Sequence, residues 1–338
     1  MKALYPLLVV LLLVVAGYVG GMVDGLRPVF GVVLPYLAFL LFAGGFCYRV
    51  LIWARSPVPY HIPTTCGQAR SLPWIKASNL ESPHTSAGVI GRMLLEVLFF
   101  RSLFRNSTFR IEKQRILYWG EQLLWVGALL FHWSLLVIVL RHVRFFTEPV
   151  PGFVYLLQGL DGFFRVGEPV VYVTTAGLLV AASYLLYRRF ALPKIRYISL
   201  VNDYFPLYLI LAIGLSGILM RHFFRTDVVA VKELAMGLVS FSPAVPTTIS
   251  PLFFVHLLLV SSLFAYFPFS KLMHMGGIFL SPTRNLANNG RMRRHVNPWD
   301  YPVPVHTHGE WQEEFKDKLE AADIPLDSED TARPVMPV

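Results

Sequence analysis

The sequence predicts an all-α integral membrane protein, a six-helix transmembrane bundle with both termini cytoplasmic. Three observations lead there. Of the 338 residues, 55% are apolar and only 15% are charged, whereas soluble domains carry about 25% charge. Six stretches are apolar over the roughly 20 residues that cross about 30 Å of hydrocarbon. Lys and Arg collect on alternate loops between them. The 14% aromatic content and the lack of any repeat exclude a disordered or collagen-like chain.

In order, the expected spans are Leu4–Val23, Val29–Trp53, Ile116–Val143, Glu168–Tyr187, Ile198–Met220 and Pro251–Phe269. The first follows Met1-Lys2 as a signal peptide would. Its apolar run is too long for one and no A-x-A site follows, so a retained helix is expected. With the N-terminus inside, 22 Lys and Arg residues fall on the cytoplasmic side and seven on the other, with Arg49 at the inner end of a span. That bias accounts for the net charge of +9 without a nucleic-acid partner.

The chain divides accordingly. Two N-terminal helices occupy 1–53, a cytoplasmic loop occupies 54–115, a four-helix core occupies 116–280, and a cytoplasmic tail occupies 281–338. Within the loop, Val89–Arg105 is apolar but interrupted by Arg92, Glu96, Arg101 and Arg105. A helix lying in the membrane interface fits it better than a span. In the tail, Gly309–Ala322 has helical spacing and reads as either a docking helix or part of a solvated terminus.

Ten histidines stand at 61, 84, 132, 142, 222, 256, 274, 295, 306 and 308, and five of them lie in or at the edges of spans. An ionisable side chain at membrane depth is costly and points to function. A lone one can simply hydrogen-bond a neighbouring helix. His132 and His142 are ten residues apart on the third span, and His256 and His274 are eighteen apart on the sixth. At about 1.5 Å and 100° per residue, eighteen residues make five turns and roughly 27 Å, and ten make roughly 15 Å. Since the two spans are antiparallel, His142 pairs with His256 and His132 with His274. The mismatch in rise falls to tilt, a bend at Pro268 and an intervening ligand. His222 reads as an interface residue, and His61, His84, His295, His306 and His308 as surface residues.

Imidazole ligates several transition metals. No carboxylate or thiolate lies within a turn of the four, as a small-ion site would need. Cys47 and Cys66 can neither form a thiolate cluster nor begin a C-x-x-C-H haem attachment motif. Two bare His–His pairs in an apolar, aromatic bundle suit planar iron porphyrin, held axially with no open position. The expectation is two b-type haems and electron transfer without covalent catalysis. A polytopic transporter or channel with a histidine proton relay is the alternative. Only Glu121 and Asp203 lie clearly inside the span limits to support that reading, and both are near inner ends. A bare anchor for soluble subunits leaves the histidines unexplained.

The segment Phe267-Pro-Phe-Ser-Lys-Leu-Met-His274, with His256 eighteen residues earlier and His132 and His142 ten apart, resembles the respiratory nitrate reductase gamma subunit over about 110–280. That resemblance implies His132, His142, His256 and His274 as haem ligands. It also implies electron exchange between a quinone (menaquinone or ubiquinone) and a cytoplasmic iron–sulfur subunit. The quinone site would lie beside the outer haem. Arg165, just before Glu168, and Arg141, beside His142, are candidates for it or for propionate partners, and Arg141, Arg144 and Lys271 would balance propionates.

Two features depart from that family. They are the extra first helix and the tail segments Asn297-Pro-Trp-Asp-Tyr-Pro-Val-Pro-Val-His306 and Gly309-Glu-Trp-Gln-Glu-Glu-Phe. Both are similar to the cytochrome b subunit of the sulfite-reductase-associated Dsr membrane complex. That likeness implies sulfur metabolism and a heterodisulfide-reductase-like iron–sulfur partner on the cytoplasmic side. Other Dsr subunits, including a multihaem cytochrome c, would complete the assembly, so the chain would be one subunit of an oxidoreductase.

Overall fold

In hydrocarbon every backbone N–H and C=O must be satisfied within the chain, so long apolar runs close on themselves as helices. The computed structural model describes residues 2–58, 67–112, 114–162, 169–292 and 305–326. It comprises two units, 1–291 and 292–338.

In the first unit, α1 spans Leu4–Met22, and a π-helical turn at Val29–Val33 leads into α2, Leu34–Arg55. Next come α3 (Ser86–Phe99) and the single turn α4 (Arg101–Phe104), followed by strands β1 (Ser107–Glu112) and β2 (Arg115–Gly120). The core contains α5 (Gln122–His142), α6 (Gly152–Asp161), α7 (Val173–Ala191), α8 (Pro193–Ile198) and α9 (Val201–Ile218). It continues with α10 (Val228–Val239), α11 (Pro251–Tyr266) and the single turn α12 (His274–Gly277). In the second unit, α13 (His308–Glu314) begins at a capping box of Thr307 and Glu310 and is followed by α14 (Lys316–Ala321).

Five helical stretches among the described residues are long and apolar enough to cross a membrane: Leu4–Met22, Asp24–Arg55, Gln122–Phe145, Val201–Phe223 and Pro251–Phe269. The fourth expected span corresponds to α7, which is not one of the five. Its last turn carries Arg188 and Arg189, and Thr174, Thr175 and Ser183 further dilute its apolar face. It nevertheless packs between α5 and α9.

The third span begins at Gln122 instead of Ile116. Residues 115–120 pair as a strand with 107–112, Phe109 opposite Tyr118 and Ile111 opposite Ile116. Alternating β-branched and aromatic residues favour a pleated pair over the first turns of a helix. The interfacial helix expected over Val89–Arg105 is divided in two. Phe100 has φ 51, and that left-handed residue ends α3 and starts α4.

The core packs α1 and α2 on α11, α1 on α9, α5 on α7, α7 on α9, and α9 on α11. Phe131, Leu178, Ala181, Ala182 and Ile210 form one buried cluster, and Val10, Leu209, Val255 and Leu259 form another. Close approach of α1 to α11 depends on two glycines four residues apart. A Cβ at Gly17 would lie 2.8 Å from Val255 Cα, and one at Gly21 would lie 2.7 Å from Pro251 Cα. Small residues at this spacing let helix backbones touch in membranes.

Beyond the spans, α3 is fastened to the segment after α12. Arg92 is 8% exposed and donates to the carbonyls of Glu81 and Thr283 (3.3 and 3.1 Å) and also to that of Arg284. Arg284 in turn pairs with Glu96 at 2.7 Å. Glu81 accepts from Arg101 at 2.8 Å and from Arg105. Burial works to raise the Glu81 carboxyl, but the two guanidiniums outweigh it and hold it below its ordinary value. Its contribution is therefore complete above the ordinary carboxylate range and is lost as pH falls through the lowered value.

Two outcomes follow for thermal unfolding in detergent. Gly17→Ile should cost about 1–3 kcal/mol by forcing α1 off α11. Glu81→Gln should cost about 1 kcal/mol at pH 7, and its difference from the native chain should narrow steadily as pH falls below about 4.

Candidate functional site

The four span histidines ride on α5, α11 and α12. Helices α5 and α11 stand at the two ends of the packed series α5–α7–α9–α11 and share no comparable packing with each other. Leu263 of α11 reaches the cluster formed by α5, α7 and α9.

At one level His132 and His274 meet, with ring centres 5.9 Å apart and planes at 84°. Phe100 and Phe131 flank His132 at 5.0 and 5.1 Å. The His132 Nδ1 is 2.8 Å from the Ala128 carbonyl oxygen, and the His274 Nδ1 is 2.8 Å from that of Lys271. At the other level, the His142 Nδ1 is 2.7 Å from the Ile138 carbonyl oxygen. The His256 Nδ1 is 2.9 Å from Ser216 Oγ, whose own proton goes to Ile213 O at 2.9 Å.

A carbonyl can only accept, so the shared proton sits on Nδ1 in each of these contacts, and Ser216 likewise accepts from His256. All four rings are therefore oriented by Nδ1, with the Nε2 lone pair left for a ligand. Metal-bound histidines are held in this way. Gly217 leaves the face of His256 uncrowded, since even an added Cβ would lie 3.7 Å from its Cε1. Among the described residues no group of three or more His, Cys, Asp or Glu gathers as a small-ion site would. The donor set, four imidazoles in apolar and aromatic surroundings, fits iron porphyrin.

The route by which His274 reaches His132 differs from a continuous helix of five turns. Helix α11 ends at Tyr266, Phe267–Phe269 tightens into a 3-10 turn containing Pro268, and Ser270 is extended at φ −123 and ψ 178. Proline and a capping serine break the helix. Ser270 Oγ accepts from the Leu272 N–H at 3.2 Å and donates to Phe267 O at 2.9 Å. His274 then opens the separate turn α12. This break removes the excess rise that a straight helix would impose.

Arg141, Arg144 and Lys271, expected to balance propionates, each have a partner within the chain. Arg141 pairs with Asp161 at 3.0 Å, where the two side chains are 11% and 2% exposed. Asp161 also accepts from the Thr174 N–H and hydroxyl at 2.8 and 2.6 Å. Tyr172 lies between Arg141 and Arg221, which stand 3.7 and 4.5 Å from its ring centre. Arg144 donates to Gln158 at 3.0 Å, and Lys271 pairs with Asp203 at 2.8 Å.

Asp161 and Tyr172 were not singled out from the sequence. Arg165 and Glu168, with His61, His295 and Cys66, lie outside the described residues. His222 is half-buried in the π-helical turn Leu219–Phe223. Breaking a buried pair leaves an uncompensated charge. Asp161→Ala should therefore lower stability by about 3–5 kcal/mol in detergent unfolding, while Asp24→Ala, at the exposed pair with Arg27, should cost under about 1 kcal/mol.

Residues 93–292 match the family model described as nitrate reductase gamma subunit. The chain is 47% identical over 279 residues to the Hdr-like menaquinol oxidoreductase cytochrome b-like subunit of Archaeoglobus fulgidus, covering 80% of this chain and 83% of that one. It is 43% identical over 277 residues to the protein of the same name from Archaeoglobus profundus, covering 79% and 81%. With its several apolar helices, it is a multi-pass integral protein of the prokaryotic membrane and belongs to the nitrate reductase gamma subunit family.

Proposed function

We propose that this chain is a diheme b-type cytochrome subunit that exchanges electrons between the menaquinone pool and a cytoplasmic iron–sulfur partner. The observation that carries the proposal is that His132, His142, His256 and His274 each have Nδ1 engaged, with the rings of His132 and His274 meeting. His132 and His274 would hold one haem, and His142 and His256 the other. Metal–imidazole bonds are roughly 2 Å. The meeting of the His132 and His274 rings, 5.9 Å between centres, supports a shared haem for that pair. Bound there, iron porphyrin supplies reversible one-electron storage.

The chain's own residues do the rest. The Nδ1 contacts fix ring orientation and make each Nε2 a better donor. Phe100 and Phe131 keep water from His132. Asp161 and Asp203 balance the cations nearest His142 and His274, which moderates the positive field at both levels. The relatives' name supports menaquinol as the reductant. Arg141 and Arg165 are proposed as the basic residues nearest the quinone. Since Arg141 is committed to Asp161, its role is to orient rather than to accept a proton.

The charge bias of the loops supports six spans with both termini cytoplasmic, and in that topology the His132/His274 pair would lie nearer the iron–sulfur partner. The tail and first helix support membership in a sulfur-metabolising complex. There a heterodisulfide-reductase-like subunit and a multihaem cytochrome c would be the companions. The proton-relay alternative needs free carboxylates along the path, but Glu121 is paired with Arg188 at 2.6 Å and Asp203 with Lys271.

A dithionite-reduced minus oxidised spectrum with a pyridine haemochrome assay should give two b haems per chain. Their absence from folded protein would overturn the proposal. His256→Ala should remove one haem and spare the other. Ser216→Ala, which removes the acceptor for the His256 Nδ1–H, should weaken haem retention at that level about 10–100-fold.

A further inference from the structure

The hairpin β1–β2 has two unlike faces. Its register sets Phe109 opposite Tyr118 and Ile111 opposite Ile116 on one face, with Thr108 opposite Trp119 on the other. The first face is wholly apolar apart from Ser107 and Gly120 at its base. It is also uncovered: Phe109, Ile111, Ile116 and Tyr118 are 57, 68, 55 and 71% exposed. A lone two-stranded hairpin is marginal in water, and needs its apolar face packed on something.

The structure locates the base of this hairpin. β2 runs directly through Glu121 into the membrane-spanning α5, and the Glu121 N–H bonds Asn106 O at 3.1 Å, closing the two strands at the same height. Glu121 belongs to a ring of charges on the helix ends: Arg188 ending α7, Asp203 in the first turn of α9, and Lys271 beyond α11. Such a ring marks the edge of the hydrocarbon. Phe104 packs on Trp125 of α5 at 4.9 Å, holding the entrance to β1 at that edge as well. A strand of six residues is about 20 Å long, so a hairpin rooted at that edge can lie along the headgroup zone.

We propose that residues 107–120 form a membrane-surface anchor, with the Phe109–Ile111–Ile116–Tyr118 face set into lipid and the opposite face toward water. The lipid favoured is anionic. The strands and their turn carry Arg110, Lys113 and Arg115 against a single acid, Glu112, and basic residues beside aromatic ones are attracted to negatively charged headgroups. Covalent continuity with a span, together with this charge, favours a lipid surface over a soluble protein as the occupant.

The test uses the full chain with Cys47 and Cys66 replaced by serine, reconstituted in phosphatidylglycerol-containing nanodiscs and spin-labelled at one site at a time. Labels at Ile111→Cys and Tyr118→Cys should collide more with oxygen and less with a water-soluble nickel chelate than labels at Thr108→Cys and Arg115→Cys. A contrast of severalfold is expected, shrinking in phosphatidylcholine alone. Equal access of the chelate to both faces would overturn the anchor, including the case in which a protein partner later excludes it. A contrast unchanged in phosphatidylcholine would overturn the preference for anionic lipid. Hydrogen exchange of the unlabelled chain gives a second readout: amides of 107–120 should exchange more slowly in phosphatidylglycerol than in phosphatidylcholine discs, and equal rates would count against it.

Discussion

Hydrocarbon offers no hydrogen bonds, so every polar group between the helix ends must find its partner inside the chain. For the four imidazoles this requirement does two things at once. It removes the cost of the Nδ1–H by giving it to Ala128 O, Ile138 O, Ser216 Oγ or Lys271 O. It also fixes each ring, so that the remaining nitrogen is aimed and unprotonated. Three of the four acceptors are carbonyls within the preceding turn, where they cost the fold little. His256 alone depends on another helix, through Ser216 of α9.

The same requirement shapes the charges. Arg141 and Asp203 are nearly enclosed, and neither is solitary: Asp161 with Thr174 meets the first, and Lys271 with the Leu200 N–H meets the second. These contacts also tie together elements that carry the histidines. Asp161 joins the end of α5 to α6 and the start of α7. Asp203 joins α9 to the turn that leads to His274. Stability and the aim of the rings therefore rest on the same side chains, and α1, pressed on α11 through Gly17 and Gly21, braces the helix that bears His256 from behind.

Much of this was legible in the residues. Apolar runs and the His132/His142 and His256/His274 spacings anticipated long helices and a meeting of His132 with His274, because periodicity alone puts those side chains at set heights. What escaped was local and cooperative. The start of α5 at Gln122 depended on Phe109, Ile111, Ile116 and Tyr118 finding a strand partner, a competition between two pairings that a run of apolar residues does not reveal. The division of Val89–Arg105 depended on one left-handed residue, Phe100. Arg144 and Lys271 looked free because their partners, Gln158 and Asp203, lie far along the chain or across a helix boundary.

By itself the sequence determined that the chain enters a membrane, and that His132 and His142 share one helix and His256 stands on another. Composition and spacing act along the chain, and need no knowledge of neighbours. Tertiary structure alone decided that Asp161 meets Arg141, that Ser216 meets His256, and that the chain breaks at Ser270 to bring His274 beside His132. Those outcomes depend on which helix faces which, and on burial that turns a distant acid or hydroxyl into the nearest available partner.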